Sequence, residues 1–141
     1  MKSFKFVSAV AVLTVFFLLS GFNTVNADNV DWSKFSKNLE KALKSDNPGL
    51  RLSAMGMVIK YGEQLDVSNA VFDVVRIFRY SDNQKERQLA LVTLYKMKHP
   101  WAMDFLKRHI AFEGNEALKR QIQVIVYEYY QTDNVNVAAG K

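Results

Sequence analysis

The stretch SDNPGLRLSA, residues 45–54, returns thirty-six positions later as SDNQKERQLA, residues 81–90. Both copies open Ser-Asp-Asn and then place an Arg and an Ala at the same internal positions. Short polar side chains before a helix accept hydrogen bonds from its free N–H groups, so Asp46 or Asn47, and Asp82 or Asn83, are expected to begin helices. Pro48 suits the first helical position, where its missing N–H costs nothing and its fixed φ fits the turn. Arg51 and Arg87 follow in the first turn or so, and Ala54 and Ala90 are small enough to let a partner helix approach closely. An opening that recurs in this way marks the second helix of a repeated helical pair rather than a chemical site.

Working outward, residues 31–131 read as six helices with short breaks. Trp32, Phe35, Leu39 and Leu43 recur at steps of three or four and share one face of the first, while Lys34, Lys37, Glu40 and Lys41 occupy the rest. The second starts at Pro48 and stops near Tyr61, before Gly62. Asp66 or Ser68 opens the third, whose stripe is Val67, Val71, Val74, Val75 and Phe78, with Asp73, Arg76 and Arg79 facing elsewhere. Its valines raise a strand alternative, which the spacing of three and four argues against. The fourth begins at Asp82 or Asn83, where Glu86 is placed to complete a capping box, and buries Leu89, Ala90, Leu94 and Met97. After His99-Pro100 the fifth covers 101–112, with Trp101, Phe105 and Phe112 near one face and Met103, Leu106 and Ile110 near another. Past Gly114-Asn115 the sixth carries Leu118, Ile122, Ile125 and Tyr129. Beyond Gln131 periodicity is lost, so residues 132–141 are expected to be a flexible tail.

The first 27 residues hold Lys2 and Lys5, an apolar run over residues 6–19, and a polar segment ending Val25-Asn26-Ala27. This is the layout of a secretory signal peptide, with cleavage expected after Ala27. A retained anchor is the competing reading, although the run is short for a membrane span. The LLSG at 18–21 precedes Phe22 rather than a cysteine, so there is no thiol to lipidate there. These features look bacterial and direct the chain to the periplasm or beyond. The chain of 141 residues is 49% hydrophobic, enough for one domain, here residues 28–131, with a modest core. Lys plus Arg outnumber Asp plus Glu by 19 to 14, and without Lys2 and Lys5 by 17 to 14. Interspersed charges of that balance do not point to nucleic acid as a partner, and a membrane is expected to meet only an uncleaved leader. Cysteine is absent, which removes disulfides, thiolate metal sites and cysteine nucleophiles together.

At the repeated stretch the chain resembles the HEAT-repeat family, whose second helix opens with Asp or Asn, often Pro, then an apolar residue and Arg, then a small residue. Asp46, Pro48, Leu50, Arg51 and Ala54 fall in that order. The second copy keeps Asp82, Arg87 and Ala90 but has Gln84 and Glu86 in place of the proline and the apolar residue. In GNEALKRQI, residues 114–122, Asn115 is present, Lys119 stands at the arginine position and Arg120 comes one residue late, a drift expected of a terminal cap. The resemblance spans roughly the six predicted helices. It implies an all-α fold, a right-handed α-α superhelix (a HEAT-like solenoid) of six helices in three antiparallel hairpins. It also implies a role as scaffold or binding module, and a ladder along the stack formed by Asp46, Arg51, Asp82 and Arg87.

Signatures of catalysis are sparse. His99 and His109 lack the i, i+4 spacing that sets two imidazoles on one metal, and no cofactor or metal is expected. No nucleophile elbow, phosphate-cradling glycine loop or zinc-protease helix is written in the chain. Glu113, Glu116 and Asp104 are candidates for paired-carboxylate chemistry, yet negative charge flanking the start of the sixth helix complements its dipole. Tyr127 and Tyr130, three apart in VYEYYQ, either form a partner surface or close the end of the stack. Arg76, Arg79 and Lys60 are candidates to line a weakly basic groove. The expectation is therefore an exported, non-catalytic module for a protein or peptide, with Arg76, Arg79, Tyr127 and Tyr130 as partner-binding residues. Its rivals are an envelope enzyme or accessory using Glu113, Glu116 and His109, and a weak binder of anionic surfaces through Arg76 and Arg79 with Arg51 and Arg87.

Overall fold

Asp31 accepts the N–H of Lys34 at 2.9 Å and starts α1, Trp32–Leu43. A computed structural model describes this and the rest of residues 30–138, so the leader and its expected cleavage site lie outside the described residues. Asn47 caps α2, Pro48–Tyr61, with Pro48 in its first turn. A 3-10 turn, Ser68–Ala70, leads into α3, Val71–Tyr80. α4 is Gln84–Met97, ended by Lys98 in the left-handed region at φ 49°. α5 is Pro100–His109, followed by a second 3-10 turn, Ile110–Phe112, and α6 is Glu116–Ala138. The described residues are all-helical, with no strand among them.

The helices form three antiparallel pairs. In the first, Trp32 at the start of α1 meets Tyr61 at the end of α2, ring centroids 5.6 Å apart. In the second, α3 and α4 are joined by the short turn at residues 81–83 and pack along one another, with Arg87 donating across the turn to the Phe78 carbonyl at 2.8 Å. In the third, the Tyr130 hydroxyl of α6 donates to Asp104 near the start of α5. α2 packs along α4, and α4 packs on α6, so the second helices of the pairs lie side by side. Rings carry the contact between α3 and α5: Phe72 with Trp101 at 4.5 Å, and Phe78 with Phe105 at 6.4 Å.

The core lies between these helices. Leu39 and Leu43 come from α1, Met55 and Val58 from α2, and Val71, Val74 and Phe78 from α3. α4 adds Leu91 and Leu94, α5 adds Met103 and Leu106, and α6 adds Leu118 and Ile122. The valine stripe of α3 is thus a helical face. Val67 is also buried, but it precedes the 3-10 turn and is not part of that helix. Ala54 and Ala90 are both buried, as small residues at close helix contacts must be.

Two further boundaries differ from the sequence reading. Residues 110–112 leave the α-helix for a 3-10 turn, which turns Phe112 outward to 81% exposure and removes it from the face of Trp101 and Phe105. α6 continues to Ala138, past the expected end near Gln131. No proline or glycine interrupts residues 131–138, so the loss of apolar period there does not end the helix.

Candidate functional site

The start of each second helix is built on one local plan. A side-chain oxygen two residues before the cap accepts the cap's own N–H: Ser45 Oγ from Asn47 at 3.1 Å, Ser81 Oγ from Asn83 at 3.1 Å, and Glu113 Oε1 from Asn115 at 2.9 Å. The cap's Oδ1 then accepts a helix N–H, from Leu50 at 3.2 Å, from Lys85 at 2.9 Å and Glu86 at 3.4 Å, and from Leu118 at 3.0 Å. Asparagine is the cap in all three pairs, and neither Asp46 nor Asp82 takes that place. The third pair, whose sequence drifts furthest, keeps the plan because Glu113 does there what serine does in the other two.

Charge links these starts from pair to pair. Arg51 donates through Nε and Nη2 to Glu86 Oε1 at 3.3 and 3.0 Å, while its Nη1 holds the carbonyls of Ser45 and Asp46, each at 3.1 Å. Arg87 donates through Nη2 to Glu113 Oε2 at 2.6 Å and through Nε to the Phe78 carbonyl. The ladder expected from Asp46, Arg51, Asp82 and Arg87 therefore has its arginines as foreseen but takes its carboxylates from Glu86 and Glu113. The turn carbonyls hold one arm of Arg51 and aim the rest of the fork at α4, where the longer glutamate side chain meets it. Glu86 consequently does not close a capping box. Its Oε2 accepts from Ser81 Oγ at 2.5 Å, and it is Ser81, not Glu86, that accepts the Asn83 N–H.

Beside the second tie, His109 Nε2 stands 3.5 Å from Glu113 Oε2. Its ring stacks on Phe105 at 5.5 Å and meets the edge of Phe78 at 5.2 Å. Burial holds the His109 pKa below the ordinary histidine value; Glu113 pulls it back up, and Arg87 and Arg79 push it further down. For Glu113, burial pushes the pKa up, but the Asn115 N–H, then Arg87 and His109, outweigh it and keep the carboxyl below its usual range. Glu116 is turned away, exposed and 3.7 Å from Lys119, and Asp104 is held by Tyr130. Of the residues considered for acid–base work, only His109 and Glu113 come together. Among the described residues no group of three His, Cys, Asp or Glu side chains is gathered for a metal ion.

The expected groove of Arg76, Arg79 and Lys60 is divided. Arg76 pairs with Asp73 at 3.2 Å on its own helix and lines a shallow depression of about 200 Å³ with Asp46, Arg51, Tyr80 and Glu86. Lys60, at the far end of α2, lines another with Lys96 and Lys98. The separation follows from the antiparallel pairing, which sends the end of α2 to the opposite edge from the end of α3. Arg79 lies over the rings of Tyr80 at 4.9 Å and Phe105 at 5.9 Å. An anion-binding surface using Arg51 and Arg87 would have to take them from Glu86 and Glu113.

Around Arg79 the structure assembles a strip that the sequence reading did not single out. Phe72, 62% exposed, touches Trp101, whose ring stacks on Phe105 at 5.9 Å; Arg79 covers Phe105 and reaches Tyr80, itself exposed. The signal lay in the spacing of Phe72, Arg76 and Arg79, which share a face of α3 beside the valine stripe. Chemically such a strip stacks flat apolar groups and pairs with carboxylates. The two tyrosines part company. Tyr127 is exposed at 66%, whereas Tyr130 packs against the core, bonds Asp104 and lies under Lys107 Nζ at 5.0 Å, which fits the capping role.

Among the described residues no helix is long and apolar enough to cross a membrane. A scan against protein-family models and searches of curated proteins and of solved structures found no match to this chain.

Proposed function

We propose that the chain is an exported, non-catalytic scaffold of HEAT-like, right-handed superhelical build, directed by its leader to the periplasm or beyond. The α3–α5 strip is its docking surface for an acidic segment of a partner protein. The three antiparallel pairs with side-by-side second helices support the solenoid reading, as do the shared caps and the arginine ties. The observation that carries the binding role is the continuous exposure of Phe72, Trp101, Arg79 and Tyr80 beside Arg76. Aromatic residues and arginine in contact with one another are what concentrates binding energy at protein interfaces. Glu113 supports a structural rather than an acid–base role, because Arg87 and the Asn115 N–H occupy its oxygens.

The test is selection from a random peptide library on the immobilised full chain, repeated with F72A/W101A and with Y127A. Peptides that combine acidic residues with an aromatic or proline should be enriched on the wild type and on Y127A and lost on F72A/W101A. Enrichment that survives F72A/W101A would assign the surface elsewhere.

A further inference from the structure

The outward face of α1 carries four lysines, with Glu40 at its margin. Lys34, Lys37, Lys41 and Lys44, the last at the C-cap, are all exposed. At 100° per residue they fall within an arc of about 80°, opposite the buried Leu39 and Leu43. None lies within ion-pair distance of a carboxylate of the described residues, whereas Arg51, Arg76, Arg87 and Lys119 each do. Asp31 and Glu40 are the acids nearest to the stripe along the helix, and both stand outside its arc. Glu40 is three residues from Lys37 and four from Lys44, so the face holds four lysines against one flanking carboxylate, and the excess positive charge favours a surface of opposite charge there.

We propose that α1 lies along an anionic phospholipid bilayer, its lysines among the headgroup phosphates. This goes beyond membrane contact through the leader and does not depend on the α3–α5 strip. Three features favour a bilayer over a folded polyanion. The stripe is lysine alone, a row of point charges without the bidentate geometry that arginine brings to specific phosphate recognition. Its arc offers no aromatic ring on which a base could stack, since Trp32 and Phe35 face the other way, toward Tyr61. And α1 is the first helix after the apolar run at residues 6–19, hence the element closest in sequence to any bilayer that run meets.

The experiment is vesicle sedimentation of the full chain with phosphatidylcholine vesicles and with vesicles that also contain phosphatidylglycerol, over a range of salt. The wild type should bind the anionic vesicles more strongly, and the difference should shrink as salt rises. Each lysine near a charged surface contributes ~1 kcal/mol, so the anionic preference should fall about fivefold for each lysine changed in K34Q/K37Q/K41Q/K44Q. Both proteins keep the leader, whose apolar run and Lys2 and Lys5 contribute equally to the two, so the difference between wild type and variant reads α1. Glutamine preserves helix propensity, and circular dichroism checks that the fold is intact. K60Q/K96Q/K98Q should behave as the wild type. The proposal is overturned if the quadruple variant keeps the whole of the wild type's anionic preference, or if the wild type has none. It is equally overturned if duplex DNA, and not the vesicles, shows the lysine-dependent binding.

Discussion

Arg51 and Glu86 sit thirty-five residues apart in sequence, yet two N–H groups of the one converge on a single carboxylate oxygen of the other, joining the first helical pair to the second. The guanidinium is about one-fifth exposed and the carboxylate less than one-tenth, so water screens the pair only in part. Glu86→Gln should lower stability by about 1.5–3 kcal/mol, the range for a hydrogen bond to a charged group. A double-mutant cycle with Arg51→Met in urea unfolding measures the coupling, which should be absent between Arg51 and Glu116.

The second tie draws its carboxylate from a different place in the motif. Glu113 stands where Ser81 stands in the second pair, and Leu118 where Glu86 stands. Ser81→Glu alone puts two carboxylates in one place and should destabilise, as should Glu86→Leu. Combined as S81E/E86L, they reproduce the arrangement of the third pair. The double variant should be about 1–2 kcal/mol more stable than E86L alone. Urea midpoints of the four proteins check this.

Acid should lower the protein's stability over two pH ranges. The folded-state pKa of His109 lies below its unfolded value, so its contribution is present above the ordinary histidine pKa, about 6.5, and is lost as pH falls from there toward the folded value. Glu113 is likewise depressed, so its contribution is present above the ordinary carboxyl range and is lost as pH falls below it. His109→Gln should remove the loss in the upper range and leave that in the lower. Melting temperature against pH for the two proteins separates them.

Two glycines should respond in opposite ways to alanine. At Gly62 an added Cβ would lie 2.9 Å from the Val58 carbonyl and 3.4 Å from that of Lys96, where the ends of α2 and α4 come together. Gly62→Ala should cost about 1–3 kcal/mol as overpacking. Gly56, inside α2, has nothing within 4 Å of that position, and Gly56→Ala should stabilise by about 0.5–1 kcal/mol through helix propensity. Thermal unfolding of both variants is sufficient.

Local rules made most of the fold legible. The second helix starts and stops where Asn47, Pro48 and Gly62 say it should, because caps and breakers act within one turn. The stripes of α1 and α3 identified their buried faces for the same reason. What the sequence hid is long-range. Glu86 has a local use in a capping box and a distant one with Arg51, and only the approach of α2 to α4 decides between them. Trp101 read as one face of its own helix with Phe105, and Phe72 gave no reading at all, until α3 and α5 lie side by side. His109 read as a polar position on its helix, and its place between two rings and Glu113 depends on three separate elements.

The docking role of the α3–α5 strip is tested most directly by amide chemical shifts of the full chain titrated with a selected acidic peptide. Shifts should concentrate at Phe72, Arg76, Arg79, Tyr80 and Trp101, and weaken steeply with salt. Shifts confined to α1 or to the Tyr127 face of α6, with α3 and α5 silent, would contradict it.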